Sequence, residues 1–360
     1  MAPSSRYDSL VAVGQGNIGS QVVPLLGSIP EIARVSLVDF DRYESANLGF
    51  QRIAPSDVGK LKVKVQARSL RRLRPELVVT ALACRFEDLP LGILRGSIIL
   101  ACVDSRAVRQ AINRAAFALG IPWIDGALAR EGSVRARAYL PGDGSCLECS
   151  WGPTDYQLLE QRLPCATGVE VPAATAAAPE LGAIAAGLQV SLCRRLIAGG
   201  SAAESLVDRQ WFLDVPSGRG WTAAYAPNPH CRLDHTAWDI VSLPRGSIDW
   251  PLRNALGLCA TESAESSLSA FGQVFVRRLR CPQCQAVYRV HCRLSGRLAQ
   301  RRCTTCRAPM LIAAVDFEAC LDTRNLSPAI LDEPLASRGF VAGDIVSVGA
   351  AGAERHYQLA

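Results

Sequence analysis

Apolar runs and helix-period patterns alternate along the first 125 residues. Residues 10–13 (Leu10, Val11, Ala12, Val13) form a short, wholly apolar run that suits a buried strand, and a helix is predicted near 17–27. Residues 35–39 predict a second strand, closing on Asp39. Over 56–73, Leu61, Val65, Leu70 and Leu73 recur among basic residues and predict a helix. Strands follow at 77–82 and 97–104, the latter ending in Asp104, then a helix at 105–119 and a fifth strand at 121–125. This repetition predicts an α/β fold with a doubly wound, mostly parallel sheet. In such sheets ligands sit beyond the carboxyl ends of the strands. Asp39, Asp41 and Asp104 all fall at such ends, where they either converge on one crevice or serve as loop starters and helix N-caps.

The turn after the first strand reads Gly14-Gln-Gly16-Asn-Ile-Gly19. Gly14 suits a tight turn, Gly16 lets backbone approach a phosphate, and Gly19 lets the helix pack closely on the strand. The helix N-terminus then offers unpaired N–H groups to an anion. Asp39 lies 20 residues after Gly19, where a dinucleotide-binding fold carries its ribose-binding acid. A Rossmann-like nucleotide site follows from this reading, and the glycines alone suggest a nicotinamide dehydrogenase.

The next stretch changes the ligand. Residues 41–64 are polar and basic, with Asn47, Arg52, Lys60 and Lys62. A dehydrogenase has no need of such an insertion, whereas a triphosphate site uses cations to neutralise charge on transferring phosphates and an acid to hold a metal ion. The alternative is a solvated loop with scattered charges.

Size and composition narrow the class. The 360 residues are 49% apolar and 20% charged, as in a globular protein that buries a large core in two or three units. The net charge of +6 is a weak pointer to acidic partners. Residues 171–193 are apolar but contain Pro179, Glu180 and Gln189, and read as a buried helix rather than a membrane span. No signal peptide is read before the first strand, and a cytoplasmic location is expected. In that setting the 14 cysteines, several in C-x-x-C pairs, predict metal binding rather than disulfides.

Cys281-Pro-Gln-Cys284 and Cys303-Thr-Thr-Cys306 are separated by 18 residues, the spacing of a zinc ribbon. Residues 287–290 and 292–294 are predicted as its hairpin strands, with His291 and Cys292 as spare ligands. Arginines crowd this segment, so the ribbon either binds nucleic acid or presents a solvated basic face, the latter being preferred. Cys146-x-x-Cys149 supplies half of another tetrahedral site. Cys84, Cys102 and Cys193 lie in apolar contexts and are assigned to the core. Residues 245–272, rich in Ser, Gly and Pro, read as a linker, and 335–348 with 355–359 as a turn and two strands.

Four motifs in order resemble the ThiF/MoeB family of the ubiquitin-activating-enzyme superfamily: N-L-G-F-Q-R, D-V-G-K-L-K-V, A-C-V-D-S-R-A-V-R-Q-A-I-N-R-A-A-F and P-G-D-G-S-C-L-E-C, all following the glycine turn. The resemblance covers about residues 8–240. It implies a protein that uses ATP and magnesium to adenylate the C-terminal glycine of a ubiquitin-like protein. On that resemblance Asp39 holds the ribose, Asn47 and Lys62 contact phosphates, and Asp104 coordinates magnesium. Asp41 and the three glycines complete the nucleotide site. The family's arginine three residues after the asparagine is Phe50 here, so either Arg52, the nearest arginine, takes that role through a shifted loop or another arginine does. Arg6 is the candidate for the arginine that relatives extend into a partner subunit, and a homodimer is implied.

The family closes its first metal site with a second C-x-x-C. Here the segment 228–235 offers Cys231 and His235, with His230 as a substitute, for a Cys3His zinc site. Cys165, in R-L-P-C-A-T-G, falls in the crossover loop at about 150–178, where the family carries the cysteine that accepts the activated protein as a thioester. A thiolate attacks an acyl-adenylate readily because AMP is a good leaving group. The implied organisation is an adenylation domain over 1–244, the linker, and a C-terminal zinc-ribbon and β-grasp-like domain over 273–360; alternatively 250–360 is one small β domain with the ribbon inserted, serving to bind the ubiquitin-like protein. Larger activating enzymes use such a module to recruit a conjugating enzyme, which favours a bacterial conjugation pathway of the antiphage-defence kind. The alternatives are a sulfur-carrier adenylyltransferase without thioester transfer, and a non-catalytic scaffold.

Overall fold

A computed structural model describes residues 7–129, 131–142, 144–160, 178–259, 265–294, 298, 301–350 and 352–360. They fall into two compact units, one of residues up to 86 with 94–237 and one of 87–93 with 238–360.

In the first unit, strands β1 (Ser9–Val13), β2 (Arg34–Val38), β3 (Val78–Leu82), β4 (Ser97–Ala101) and β5 (Trp123–Leu128) are parallel, in the order β3-β2-β1-β4-β5. Antiparallel β6 (Ser133–Tyr139), β7 (Arg209–Asp214) and β8 (Arg219–Ala224) extend the sheet beyond β5. Strand order reverses between β1 and β4, so their carboxyl ends flank the switch-point crevice. β1 and β4 are buried at every position, as expected of strands covered on both faces. One face packs against α1 (Asn17–Leu26), α2 (Lys62–Leu73) and α5 (Pro179–Ala198) through Leu10, Ala12, Ile98, Leu100 and Ile124. The helix α3 (Arg106–Leu119) packs against β4 and β5.

The elements match the hydrophobic pattern, with local shifts. The helix predicted over 56–73 begins only at Lys62. Before it, Pro55–Asp57 forms a single 3-10 turn, and Gly59, at φ +82°, bends the chain back so that its N–H donates to the Tyr43 carbonyl. β4 ends at Ala101, which leaves Asp104 in the loop beyond the sheet. α5 is long and apolar enough, by length and composition, to cross a membrane. In this fold it packs on α1, β5 and β6, and Leu181, Ala185, Val190, Cys193 and Leu196 are buried. Its one fully buried polar side chain, Gln189, donates from Nε2 to the carbonyls of Ala101 (2.8 Å) and Ile124 (3.2 Å). It thereby ties the helix to the ends of two neighbouring strands. Cys102 and Cys193 are buried as expected, but Cys84, beyond the end of β3, is only half-buried.

The second unit holds two sheets. β9 (Ile240–Ser242), β10 (Ser266–Ala270), β14 (Leu321–Asp322), β15 (Ile345–Ala350) and β16 (Ala353–Gln358) pair in the order β14-β10-β15-β16-β9, with only the β16–β9 pair parallel. β11 (Phe275–Arg280), β12 (Val287–Arg293) and β13 (Phe317–Glu318) form the other sheet, with β11 central.

Two expectations are corrected here. Residues 245–272 are no linker: Leu252, Ala255, Leu256, Leu268 and Ala270 belong to this unit's core, and β10 lies inside its sheet. Three serines in five residues disguise that strand, because Ser266 is buried like the Leu268 and Ala270 beside it. Likewise 287–290 and 292–294 are not two strands of a hairpin. Residues 287–293 are one strand paired with β11, irregular where partners step from Cys292↔Val276 to Arg289↔Arg278, with His291 at φ +38°.

Gln189→Leu keeps the helix apolar but removes a hydrogen bond from each of two buried carbonyls. We expect a loss of about 1–3 kcal/mol, measured by denaturant unfolding of the full chain. An unchanged midpoint would show that the side chain does not fasten α5 to the sheet.

Candidate functional site

The crevice is built around the turn after β1. Gly14 has φ +87°, and its N–H donates to the Val38 carbonyl at 2.8 Å. A Cβ there would lie 2.6 Å from the Cys102 carbonyl oxygen, so only glycine lets β1 turn so close to the end of β4. A Cβ on Gly19 would fall on the Gly14 carbonyl itself. Gly16, the N-cap of α1, has by contrast open space in front of it, with only the Gln51 side chain, 3.9 Å away, within contact range. The α1 N-terminus therefore faces a gap that backbone donors can fill with an anion.

Asp39, just past β2, accepts from the Gln15 backbone N–H (2.6 Å) and the Asp41 backbone N–H (2.8 Å). Both bonds fix the carboxylate against the glycine turn and leave each oxygen further lone pairs for a hydroxyl ligand. Burial raises its pKa above the ordinary aspartate value, opposed by those two N–H groups and by Lys62. Lys62, at the first turn of α2, is nearly buried and pairs with Asp41 at 3.2 Å. Beneath them Tyr43, 1% exposed, donates to the Gln15 carbonyl (3.0 Å) and accepts from Gln66 (2.7 Å). Turn, acid and lysine thus share one bonded cluster.

The remaining nucleotide candidates are placed differently. Asn47 lies in the 3-10 segment Ser45–Gly49, and its Oδ1 accepts from the Glu44 N–H at 2.8 Å, which leaves its amide N–H2 as the outward donor. The Arg52 backbone N–H donates to Ser20 Oγ of α1 at 3.0 Å, while its side chain is exposed. Asp104 is exposed beyond β4. Its loop is clamped by Arg109, which donates to the carbonyls of Val103 (2.5 Å), Asp104 (3.3 Å) and Gly126 (3.4 Å) and pairs with buried Asp125 at 2.8 Å. Cys165 and Arg6 lie outside the described residues.

Both cysteine clusters assemble. Cys146, Cys149, Cys231 and His235 bring their ligand atoms within 4.8 Å of one another, as do Cys281, Cys284, Cys303 and Cys306. In the first, Cys146 and Cys231 Sγ are 3.6 Å apart, and Cys149 Sγ is 3.4 Å from His235 Nε2. In the second, the Sγ pairs 281–306 and 284–303 are 3.3 and 3.5 Å apart. A disulfide needs about 2.05 Å, whereas tetrahedral ligands about 2.3 Å from a shared zinc sit a little under 4 Å apart. The donor sets therefore suit a metal, and the spare candidates His230, His291 and Cys292 belong to neither group.

Different supports hold the two clusters. In the second, Cys281 and Cys303 each open the same turn: Gln285 and Arg307, both with positive φ, donate back to the carbonyls of Cys281 and Cys303. The first is clamped by side chains. Glu148, between two of its cysteines and 1% exposed, receives two bonds from Arg114 (2.8 and 2.9 Å) and one from Gln110 (2.8 Å) on α3. Burial alone would raise the Glu148 pKa, but those bonds outweigh it and hold it below the ordinary value. Asn113 Oδ1 also accepts from the Leu147 N–H at 3.0 Å.

Sequence reasoning passed over Gln15, Gln51, Tyr43, Gln66, Arg109 and Glu148, which position the site rather than carry a motif. The signal for Glu148 is a charge between two metal ligands, and for Gln189 a lone amide in an apolar helix. Gln51 Oε1 and Gln15 Oε1 are buried without a protein partner, polar groups of the kind a bound nucleotide or ordered water satisfies.

Comparison with known proteins follows the geometry. The molybdopterin-synthase adenylyltransferase of Escherichia coli is 30% identical over 144 residues, 39% of this chain and 57% of that protein. The ubiquitin-like modifier-activating enzyme 5 of Dictyostelium discoideum is 28% identical over 160 residues, 40% of this chain and 42% of that protein. The chain thus spans about half the length of these curated relatives. In fold it is similar to E. coli MccB, solved with ATP (TM-score 0.51, 20% identity, 64% of this chain and 67% of that chain) and in complex with N-formylated MccA (TM-score 0.52, 19% identity, 64% and 68%). Residues 6–233 match the ThiF family, to which the chain therefore belongs.

Proposed function

We propose that this protein activates the C-terminal carboxylate of a ubiquitin-like protein by adenylation with ATP. The observation that carries the reading is the bonded cluster of the glycine turn, Asp39, Asp41 and Lys62 beside the open α1 N-terminus, in a ThiF-family chain. Asp39 would take the ribose hydroxyls, and the α1 N-terminus and the Asn47 amide the phosphates. A carboxylate oxygen of the partner attacks the α-phosphorus, and the bond to the β-phosphate oxygen breaks as pyrophosphate leaves. Lys62 and Arg52 offset the negative charge that develops on the α-phosphate. Asp104, an exposed carboxylate at the mouth of the crevice, has the donor chemistry for magnesium, which would supply charge neutralisation at the phosphates.

The finer step is thioester formation: the Cys165 thiolate attacks the acyl carbon, AMP leaves, and the acyl group passes to a conjugating enzyme recruited by the C-terminal unit. A second reading, supported by the likeness to the E. coli molybdopterin-synthase adenylyltransferase and to MccB, is adenylation of a sulfur carrier or peptide with no thioester. In either reading a homodimer is expected, and the two cysteine clusters hold structural zinc.

ATP–pyrophosphate exchange that depends on a ubiquitin-like partner tests the first statement, and its absence with every such partner encoded beside the gene overturns it. Lys62→Ala should slow the exchange about 10²–10³-fold with little loss of stability, because Asp41 is half exposed and tolerates losing its partner. Cys165→Ser should leave the exchange intact and abolish a reductant-sensitive adduct with the partner; full transfer by this variant selects the second reading. Metal analysis should find two zinc ions per chain and one in Cys303→Ser, whereas a purified, folded chain without zinc would remove the structural role.

A further inference from the structure

Three neighbouring strand ends of the first unit face the crevice side of the sheet. At β1 the glycine turn opens onto the α1 N-terminus, and at β2 Asp39 is tied to that turn through the Gln15 N–H. Beyond β3 lies a third group. Pairing holds β2 and β3 together past their last residues: Val38 sits opposite Leu82, and the Asp39 N–H donates to the Leu82 carbonyl at 3.2 Å. Phe40 then follows on one chain and Arg85 on the other. The Arg85 guanidinium lies over the Phe40 ring, with Cζ 4.4 Å from the ring centroid.

A single exposed phenylalanine is ordinary on a protein surface. Phe40 is set apart by its place. It is 48% exposed, yet it lies between Asp39 and Asp41, both of which are fixed by hydrogen bonds. Arg85 is exposed as well, and among the described residues it makes no ion pair and no hydrogen bond. The ring is what holds it. A guanidinium is planar, is more weakly hydrated than an ammonium, and stacks on flat π systems. Phe40 takes one of its sides and leaves the other to a ligand.

We infer that Phe40 and Arg85 seat the base of the nucleotide and grip a purine by its flat face. The inference rests on the adenylation reading, whose nucleotide is ATP. The order of groups across the sheet carries it. Anion donors at β1, a ribose acid at β2 and a flat cation on an aromatic ring beyond β3 follow one another at the strand spacing of about 4.8 Å. A nucleotide has phosphates, ribose and base in that same order. With the phosphates at the α1 N-terminus and the hydroxyls on Asp39, the base leaves the sugar on the side away from the phosphates. Phe40 is the next residue there, its Cα about 3.8 Å from that of Asp39. Stacking matches no pattern of donors and acceptors and grows with the flat area in contact, so two-ring purines gain more from it than one-ring pyrimidines. Phe40 and Arg85 thus set the preference for a purine, while Asp39 sets the preference for ribose.

Isothermal titration calorimetry of the full chain with ATP and with CTP, in magnesium and without a partner protein, tests it. ATP should bind about tenfold or more tighter than CTP. Phe40→Ser and Arg85→Gln should each weaken ATP about tenfold and CTP less than about threefold, so that the preference collapses. Arg85→Lys keeps the charge and loses the plane, and should behave as Arg85→Gln does. Melting temperatures establish that the variants fold; should Phe40→Ser fail that control, Phe40→Leu, which keeps apolar bulk, takes its place. A wild-type chain that binds neither nucleotide removes the adenylation reading and the inference with it. Four results overturn the inference alone: equal binding of ATP and CTP by the wild type, an intact preference in the variants, an equal loss for both nucleotides, or rescue by Arg85→Lys.

Discussion

The rest of the first unit depends on how closely three stretches of backbone meet at the switch point. β1 must end against the carboxyl end of β4, reverse at Gly14, and start α1 one turn later without a side chain at Gly19. This approach leaves no space for a Cβ at either glycine. The turn so placed gives Asp39 donors at Gln15 and Asp41, and it aims the α1 N-terminus into the crevice. Electrostatics follows from sterics at Asp39, whose carboxylate is held by backbone, whereas Lys62 is held by the Asp41 carboxylate.

The clamp on the far side of the crevice is of a different kind. Arg109 and Gln189 are single side chains reaching several carbonyls at and beyond the end of β4 and within β5. Where β4 has ended, the Val103 and Asp104 carbonyls take their bonds from Arg109. The same residues that close the fold therefore shape the loop carrying Asp104.

The order of strands and helices in the first unit was legible because each parallel strand is a continuous apolar run and each helix shows its period. The glycine turn and both cysteine clusters were legible because close backbone approach and ligand geometry force residue types and spacings. Asp39, Asp41 and Lys62 were singled out by their place at a strand end and in the polar stretch after it, and the structure sets them beside that turn. What could not be read had no such periodic signal. β10 hides because serine occupies buried strand positions, so a core strand looked like linker. β12 looked like two strands because its pairing is irregular around His291, where the chain takes a positive φ. Positioning residues such as Glu148 and Tyr43 escape sequence reading for another reason: their meaning lies in partners many positions away.

The two cysteine clusters differ in what survives when a ligand set is empty. In the first, burial pushes the Cys146 thiol well above its ordinary pKa, while the Glu148 carboxyl, raised by burial, is held below its ordinary value by the bonds from Arg114 and Gln110. The anchorage of this knuckle to α3 runs through Glu148 and the Leu147 N–H, not through the sulfurs, so it would not depend on a metal bound there. The second cluster is held by its paired backbone turns, by the three-stranded sheet with its buried Asp316, and by a small apolar core around Val276, Leu279 and Met310. A metal there would join the two turns directly, so its binding would bear on the folding of the module itself.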